Sequence, residues 1–249
     1  MQFIDTHIHL QDYKTRYARE IIASAASQGV KKFVCAGTKP ADWQQVAELY
    51  ETFPEQVVPT FGLHPWYVED APQNWEAQLV EWLEKYPQAL IGECGLDGHR
   101  SKNPEPQNRI FQKHLELAEK YRRPLLIHAV KCWEWMEQYW PRMSEKFVFH
   151  SFASSREVLQ KIVSHGGYVS FSFSILAKAG KGQIIAAAPR EKILLETDGP
   201  YQSPEKGTET SPENLPRLAA EIAALRREPL ADFSAQVYQN SEEFVNVRK

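Results

Sequence analysis

Apolar and polar positions along the chain follow two alternating rhythms. Phe3-Ile4-Asp5-Thr6-His7-Ile8-His9 reads as a strand, in which successive side chains face opposite ways, so Asp5, His7 and His9 share one face and Ile4, Thr6 and Ile8 the other. Tyr17, Ile21, Ile22 and Ala25 then recur at helical spacing as far as Gly29, a residue suited to a left-handed cap. Lys32–Gly37 reads as a buried strand, and Trp43, Val46, Ala47 and Tyr50 form the stripe of a second helix. Val57–Pro65 is the third strand, weakened by Pro59, which cannot donate to a ladder. A stripe of Leu79, Trp82, Leu83 and Tyr86 follows it.

The alternation continues to the end. Ala89–Asp97 reads as a strand running into a loop, and Ile110, Phe111, Leu115, Ala118 and Tyr121 mark a long helix. Pro124–His128 and Phe147–His150 are apolar runs ending in histidine, each followed by helical spacing, in Trp133, Met136 and Trp140 and then in Val158, Leu159 and Ile162. Tyr168–Phe173 and Ile193–Asp198 bring the strands to eight. Ser211-Pro212-Glu213-Asn214 opens the last long helix with a cap residue, a first-turn proline and an early acid, and its buried face is Leu215, Leu218, Ala219, Ile222 and Leu225. Eight strands alternating with helices, without repeats, low-complexity tracts or a linker, predict an α/β fold, a single (β/α)8 TIM barrel over residues 1–249. The alternative, a doubly wound open sheet, lacks a glycine-rich phosphate loop after any strand.

Charge and composition narrow the function. A net charge of -3 supplies no global positive field, so any nucleic-acid contact must be local. Cys35, Cys94 and Cys132 are odd in number and widely spaced, which fits reduced thiols in the cytoplasm and no Cys-based zinc site. No run of 18 apolar residues occurs and no basic, apolar leader opens the chain, so neither export nor a membrane partner is expected. No feature calls for an obligate protein partner.

In a barrel of this kind the active site lies at the C-terminal ends of the strands. His7 and His9 end the first strand, Glu93 lies near the end of the fourth, and His128, His150 and Asp198 end the fifth, sixth and eighth. By itself His7-Ile8-His9 could be two histidines hydrogen-bonded at a strand end. Six metal-competent residues on one rim are different, because buried ionisable groups are costly without a partner and a shared ion is the simplest one. Four imidazoles and two carboxylates exceed one tetrahedral ion, so two divalent metal ions are expected, with Glu93 as the bridge and Zn, Mn or Mg all compatible. His99, His114 and His165 read as surface or packing residues.

The runs Asp5-Thr6-His7-Ile8-His9-Leu10, Gly62-Leu63-His64-Pro65, Gly92-Glu93-Cys94-Gly95-Leu96-Asp97, Leu126-Ile127-His128, Phe149-His150-Ser151-Phe152 and Leu195-Glu196-Thr197-Asp198-Gly199-Pro200-Tyr201 resemble the TatD family of metal-dependent hydrolases and deoxyribonucleases, within the amidohydrolase-like barrels. The resemblance implies that His7, His9, Glu93 and Asp198 hold one metal and that Glu93, His128 and His150 hold a second. It also implies a metal-bound hydroxide as nucleophile, Asp198 and Glu93 as catalytic residues, and DNA as the usual substrate, cut by 3′ to 5′ exonuclease action. The chain departs from the family pattern at Gly98-His99-Arg100, at Val130-Lys131, at Ser151-Phe152-Ala153-Ser154 and at Ser211-Pro212-Glu213-Asn214, positions that bear on phosphate grip and substrate more than on metal.

His64, in a rim loop with Pro65, Trp66 and Tyr67, is expected to face substrate, as are Arg100 and Lys131, whereas Lys102 reads as a solvated cation. Glu196 shares the strand parity of Asp198 and is expected to orient a ligand histidine, with Asp5 a weaker candidate for the same task. Cys94 reads as packing. Trp66, Trp133 and Trp135 could stack bases, although helix packing accounts for Trp133 and Trp135 equally well. Two other functions fit the same residues: hydrolysis of a small ester, amide or lactone, and a metal-binding barrel that serves as a scaffold.

Overall fold

The computed structural model describes residues 1–178, 180 and 182–247. Eight strands, β1 (Phe3–Ile8), β2 (Val30–Ala36), β3 (Val57–Phe61), β4 (Leu90–Asp97), β5 (Leu125–Val130), β6 (Phe147–Phe149), β7 (Tyr168–Phe171) and β8 (Ile193–Leu195), lie side by side in chain order. Every neighbouring pair is parallel. Helices α1 (Ala18–Ser27), α2 (Pro40–Thr52), α3 (Trp75–Lys85), α4 (Glu105–Tyr121), α5 (Trp133–Met136), α6 (Arg156–Ser164), α7 (Phe173–Leu176), α8 (Gly182–Ala187), α9 (Leu215–Arg226) and α10 (Leu230–Val245) alternate with them. The expected (β/α)8 barrel is the fold, nearly closed. Its seam is held where Asp198 N–H donates to His7 O (2.9 Å), His9 N–H to Gly199 O (2.7 Å) and the Thr6 hydroxyl to Leu195 O (2.9 Å).

The barrel interior is layered. Ile4, Val34, Leu90, Leu126, Val148, Tyr168 and Leu194 form the lower layer, plugged by Phe244 and Val245 of α10. Above them Thr6 and Ser170 share a hydrogen bond (3.1 Å) and Thr60 donates to Gly92 O (2.8 Å), so the middle layer is polar but internally satisfied. The ionisable rim sits above that. The second, larger core packs helices against the outside of the sheet and takes in Cys35, Cys94 and Cys132.

Four expectations change. Simple alternation in β1 fails, because the ladder to β2 gains one residue between Asp5 and Ile8, a bulge that lets Thr6 and His7 both reach inward. The helix opened by Ser211 is not the last, since α10 follows it; Ser234, Asn240 and Ser241 are buried on α10 and interrupt the apolar stripe that would have revealed it. Leu225 is 46% exposed, because the buried face of α9 ends at Ile222 and Ala223. Strands three, seven and eight are also shorter than read, their last residues having left the ladder to form the rim.

Candidate metal centre

The strand ends bring all six expected residues together. His7 Nε2 and His9 Nε2 are 3.2 Å apart. Glu93 Oε2 is 3.3 Å and 3.7 Å from them, and Asp198 Oδ1 is 3.5 Å and 3.3 Å away. A tetrahedral ion with ligands about 2.0–2.1 Å away spaces those atoms about 3.3 Å apart, so this quartet fits one. The other oxygen of Glu93, Oε1, lies 3.1 Å from His128 Nδ1 and 3.0 Å from His150 Nε2, and those two nitrogens are 3.2 Å apart. Glu93 thus presents one oxygen to each cluster. All six side chains are buried.

Outer hydrogen bonds decide which nitrogens are free to face an ion. His9 Nδ1 donates to Ala36 O (3.0 Å), which turns Nε2 toward His7 and Asp198. His128 Nε2 lies 3.1 Å from Asp97 Oδ2, which leaves Nδ1 bare toward Glu93. Glu196 Oε1 accepts the Ser151 N–H (2.7 Å) and lies 3.3 Å from His150 Nδ1, so His150 turns Nε2 inward. His7 Nδ1 is buried without a partner, and the ring stacks on His150 with 4.0 Å between centroids. Asp5 does not orient a histidine ring: its carboxylate turns to the segment after β8, where it accepts from Thr197 N–H (3.0 Å) and hydroxyl (2.5 Å).

Asp97 and Gln202 complete the arrangement, and sequence reasoning missed both. Asp97 takes hydrogen bonds from Trp66 Nε1 (2.7 Å) and the backbone N–H groups of His99 (2.8 Å) and Arg100 (2.9 Å) besides holding His128. Its parity with Glu93 was the available signal. Gly95 lies between them at φ +138, where any Cβ would meet His128 O at 2.1 Å, so only glycine lets β4 run this close to β5. Gln202 Nε2 donates to Asp198 Oδ2 (2.5 Å), while its Oε1 accepts from Ser151 and Ser172 hydroxyls. No periodicity announces that contact, because Gln202 lies in a loop at φ 51.

His64 takes the Trp66 N–H on Nδ1 (3.1 Å), so its ring proton sits on Nε2, 3.3 Å from Glu93 Oε1. The cavity above these groups, about 290 Å³, is walled by Trp66, Tyr67 and Tyr201. Arg100 is exposed, its guanidinium 5.3 Å from the centre of the Trp66 ring. Lys131 is exposed and lines a neighbouring hollow shared with His150. Neither cation contacts the six-residue cluster. Lys102 donates to Gly98 O (2.9 Å). Trp133 packs on Phe149 and Phe152, while His114 is buried in α4 and takes the Leu63 N–H on Nε2 (3.1 Å).

The electrostatics are those of a cation trap. Burial alone would raise Glu93, yet the Nε2–H of His64, 3.3 Å away, and the neighbouring His150 and His7 hold its carboxyl well below the usual range. Burial also opposes the ionised form of Asp198, but the hydrogen bond from His9 and the nearby histidine charges lower it. His9 is driven up to about 9: burial pulls it down, and the Asp198 hydrogen bond and the Asp198 and Glu93 charges outweigh that. His64 goes the other way, pushed down to about 4 by burial against the pull of Glu93, and stays neutral.

Residues 4–246 match the family model described as TatD related DNase. An uncharacterised metal-dependent hydrolase of Methanocaldococcus jannaschii is 26% identical over 250 residues, covering 100% of this chain and 98% of the relative. The 3′-5′ ssDNA/RNA exonuclease TatD of Escherichia coli K12 is 28% identical over 89% of this chain and 90% of its own length. Among solved structures, the TatD homologue YjjV of Escherichia coli superposes with a TM-score of 0.90 at 27% identity, covering 99% of this chain and 98% of that one.

Proposed function

Given that the chain is a metal-dependent hydrolase belonging to the TatD related DNase family, we propose that it removes nucleotides from the 3′ end of DNA strands, with His7, His9, Glu93 and Asp198 holding one divalent ion and Glu93, His128 and His150 a second. The observation that carries this reading is the division of Glu93, whose Oε2 faces His7 and His9 while Oε1 faces His128 and His150. Zn, Mn and Mg all suit a donor set of imidazole and carboxylate without thiolate. When bound, such ions polarise the phosphate and lower the pKa of a coordinated water.

The chain's own groups do the rest. Asp198, kept ionised and aimed by Gln202, receives the proton as water attacks phosphorus. The P–O3′ bond breaks, O3′ takes up the proton that Asp198 received, one nucleotide leaves with a 5′-phosphate, and the strand keeps a 3′-hydroxyl that makes it a substrate again. Neutral His64 offers its Nε2 proton to the charge developing on phosphate oxygen. Trp66, Tyr67 and Tyr201 give the terminal base a stacking surface that tolerates any sequence. Arg100 and Lys131 meet phosphates further along the strand, Glu196 and Asp97 hold His150 and His128, and the free thiols of Cys35, Cys94 and Cys132 suit the cytoplasm.

A small ester, amide or lactone as substrate is the second reading, favoured by the modest 290 Å³ cavity and by cations that stand outside it. The test is degradation of 3′-labelled single-stranded DNA by Mg-, Mn- and Zn-loaded protein beside a panel of esters and lactones, with Glu93→Ala and Asp198→Asn as controls. Stepwise shortening from the 3′ end that both substitutions abolish supports the nuclease reading. Turnover confined to the small esters replaces it, and DNA loss indifferent to both substitutions sinks the site assignment.

A further inference from the structure

At the opposite end of the barrel, between the starts of β2 to β5 and the end of α10, lies a cavity of about 780 Å³, larger than the one above the rim. One of its walls carries Arg123, which directly precedes Pro124 and β5. Arg123 is only 8% exposed, and among the described residues its guanidinium has neither a carboxylate partner nor a hydrogen bond, its buried Nε included. Burial without a compensating charge pulls its pKa down. The other cation of the cavity, Lys32, is paired with Glu242 at 2.9 Å. A guanidinium whose Nε is buried without a partner is costly, and its planar fork of donors, open on the cavity, matches a carboxylate with two parallel hydrogen bonds.

The geometry points to a binding site for a small organic monocarboxylate with an apolar or aromatic body, separate from the metal centre. The carboxylate meets Arg123, and the body lies against Tyr50, Pro59, Pro87 and Tyr121 in a space of the size that holds small ligands. Glu242 is already matched by Lys32 and Glu55 adds a negative charge to the same wall, so Arg123 alone faces the ligand and a single carboxylate suits it better than a phosphate dianion. From Pro59, the uppermost lining residue on β3, to His64 at the rim is five residues, about 16 Å of extended chain, too far for a ligand there to touch the metal ligands.

Calorimetric titration of the metal-loaded protein with benzoate tests this, with benzamide as the neutral isostere and phenyl phosphate as the dianion. Benzoate is expected to saturate one site, with benzamide and phenyl phosphate at least tenfold weaker. Arg123→Gln should weaken benzoate at least tenfold, and Asp198→Asn should leave it unchanged. In the unaltered protein benzoate should shift the NMR ring signals of Tyr50 and Tyr121 but not those of Trp66 and Tyr201, a readout that stands even if Arg123→Gln fails to fold. Absence of saturable benzoate binding overturns the proposal. So do undiminished affinity in Arg123→Gln, tighter binding of phenyl phosphate, or shifts confined to Trp66 and Tyr201, which would place the carboxylate on the metals.

Discussion

The lower end of the barrel interior is filled by Ile4, Val34, Leu90, Leu126, Val148, Tyr168 and Leu194, and the upper end by His7, His9, Glu93, His128, His150 and Asp198, largely from the same strands. The lower layer is complete once Phe244 and Val245 plug it, because apolar contacts are non-directional and each side chain needs only neighbours. The upper layer is never complete within the protein. Its imidazoles bring ring nitrogens within 3.2 Å of one another, and its two carboxylates are held ionised in a space that burial makes hostile to charge. Packing therefore completes one end, while the other gathers buried imidazoles and carboxylates of the kind that can hold a metal ion.

The largest expected break in that contrast comes from Glu93→Ala, which removes the group shared by both clusters. The rate per folded molecule, from initial velocities on labelled DNA, should fall about a thousandfold or more. A loss under tenfold would show that the two clusters work independently. At the other end Phe244→Ala should cost about 3–5 kcal/mol in urea unfolding while leaving the rate per folded molecule unchanged. A fall in that rate would mean that the plug shapes the rim.

His114 sharpens the contrast, being a buried histidine satisfied without any ion. Burial pushes its pKa from 6.5 down to about 4, so the unfolded chain binds a proton that the folded chain refuses. Its contribution is therefore whole above pH 6.5 and is lost as the pH falls toward 4. Relative to His114→Gln, the wild-type protein should lose about 3 kcal/mol of unfolding free energy across that window. Parallel curves for the two proteins would contradict the burial account. The smallest effect is expected of Glu196→Gln, which keeps the shape but weakens the hold on His150; metal affinity by competitive chelator titration should drop about 10- to 100-fold.

The sequence carried the barrel and the six converging residues because both depend on periodicity: apolar runs of strand length, each ending in an ionisable side chain. It carried less where a local irregularity overrides the period. The bulge between Asp5 and Ile8 brings Thr6 and His7 inward together, and Asp5 turns to Thr197. α10 hides behind buried Ser234, Asn240 and Ser241, whose polar side chains mimic an exposed face. Asp97 was legible from its parity with Glu93 and was passed over, whereas Gln202 reaches Asp198 through a left-handed loop conformation that no residue pattern specifies. Arg100 and Lys131 were read from position in the chain alone, and both stand exposed and apart from the cluster.

The most direct test of the central claim, two cations bridged by Glu93, is the metal content of dialysed protein counted by mass spectrometry after loading with Mn or Zn. The account predicts two ions per wild-type chain and less than one in Glu93→Ala. Two ions retained in Glu93→Ala, or none in the wild-type protein, would contradict it.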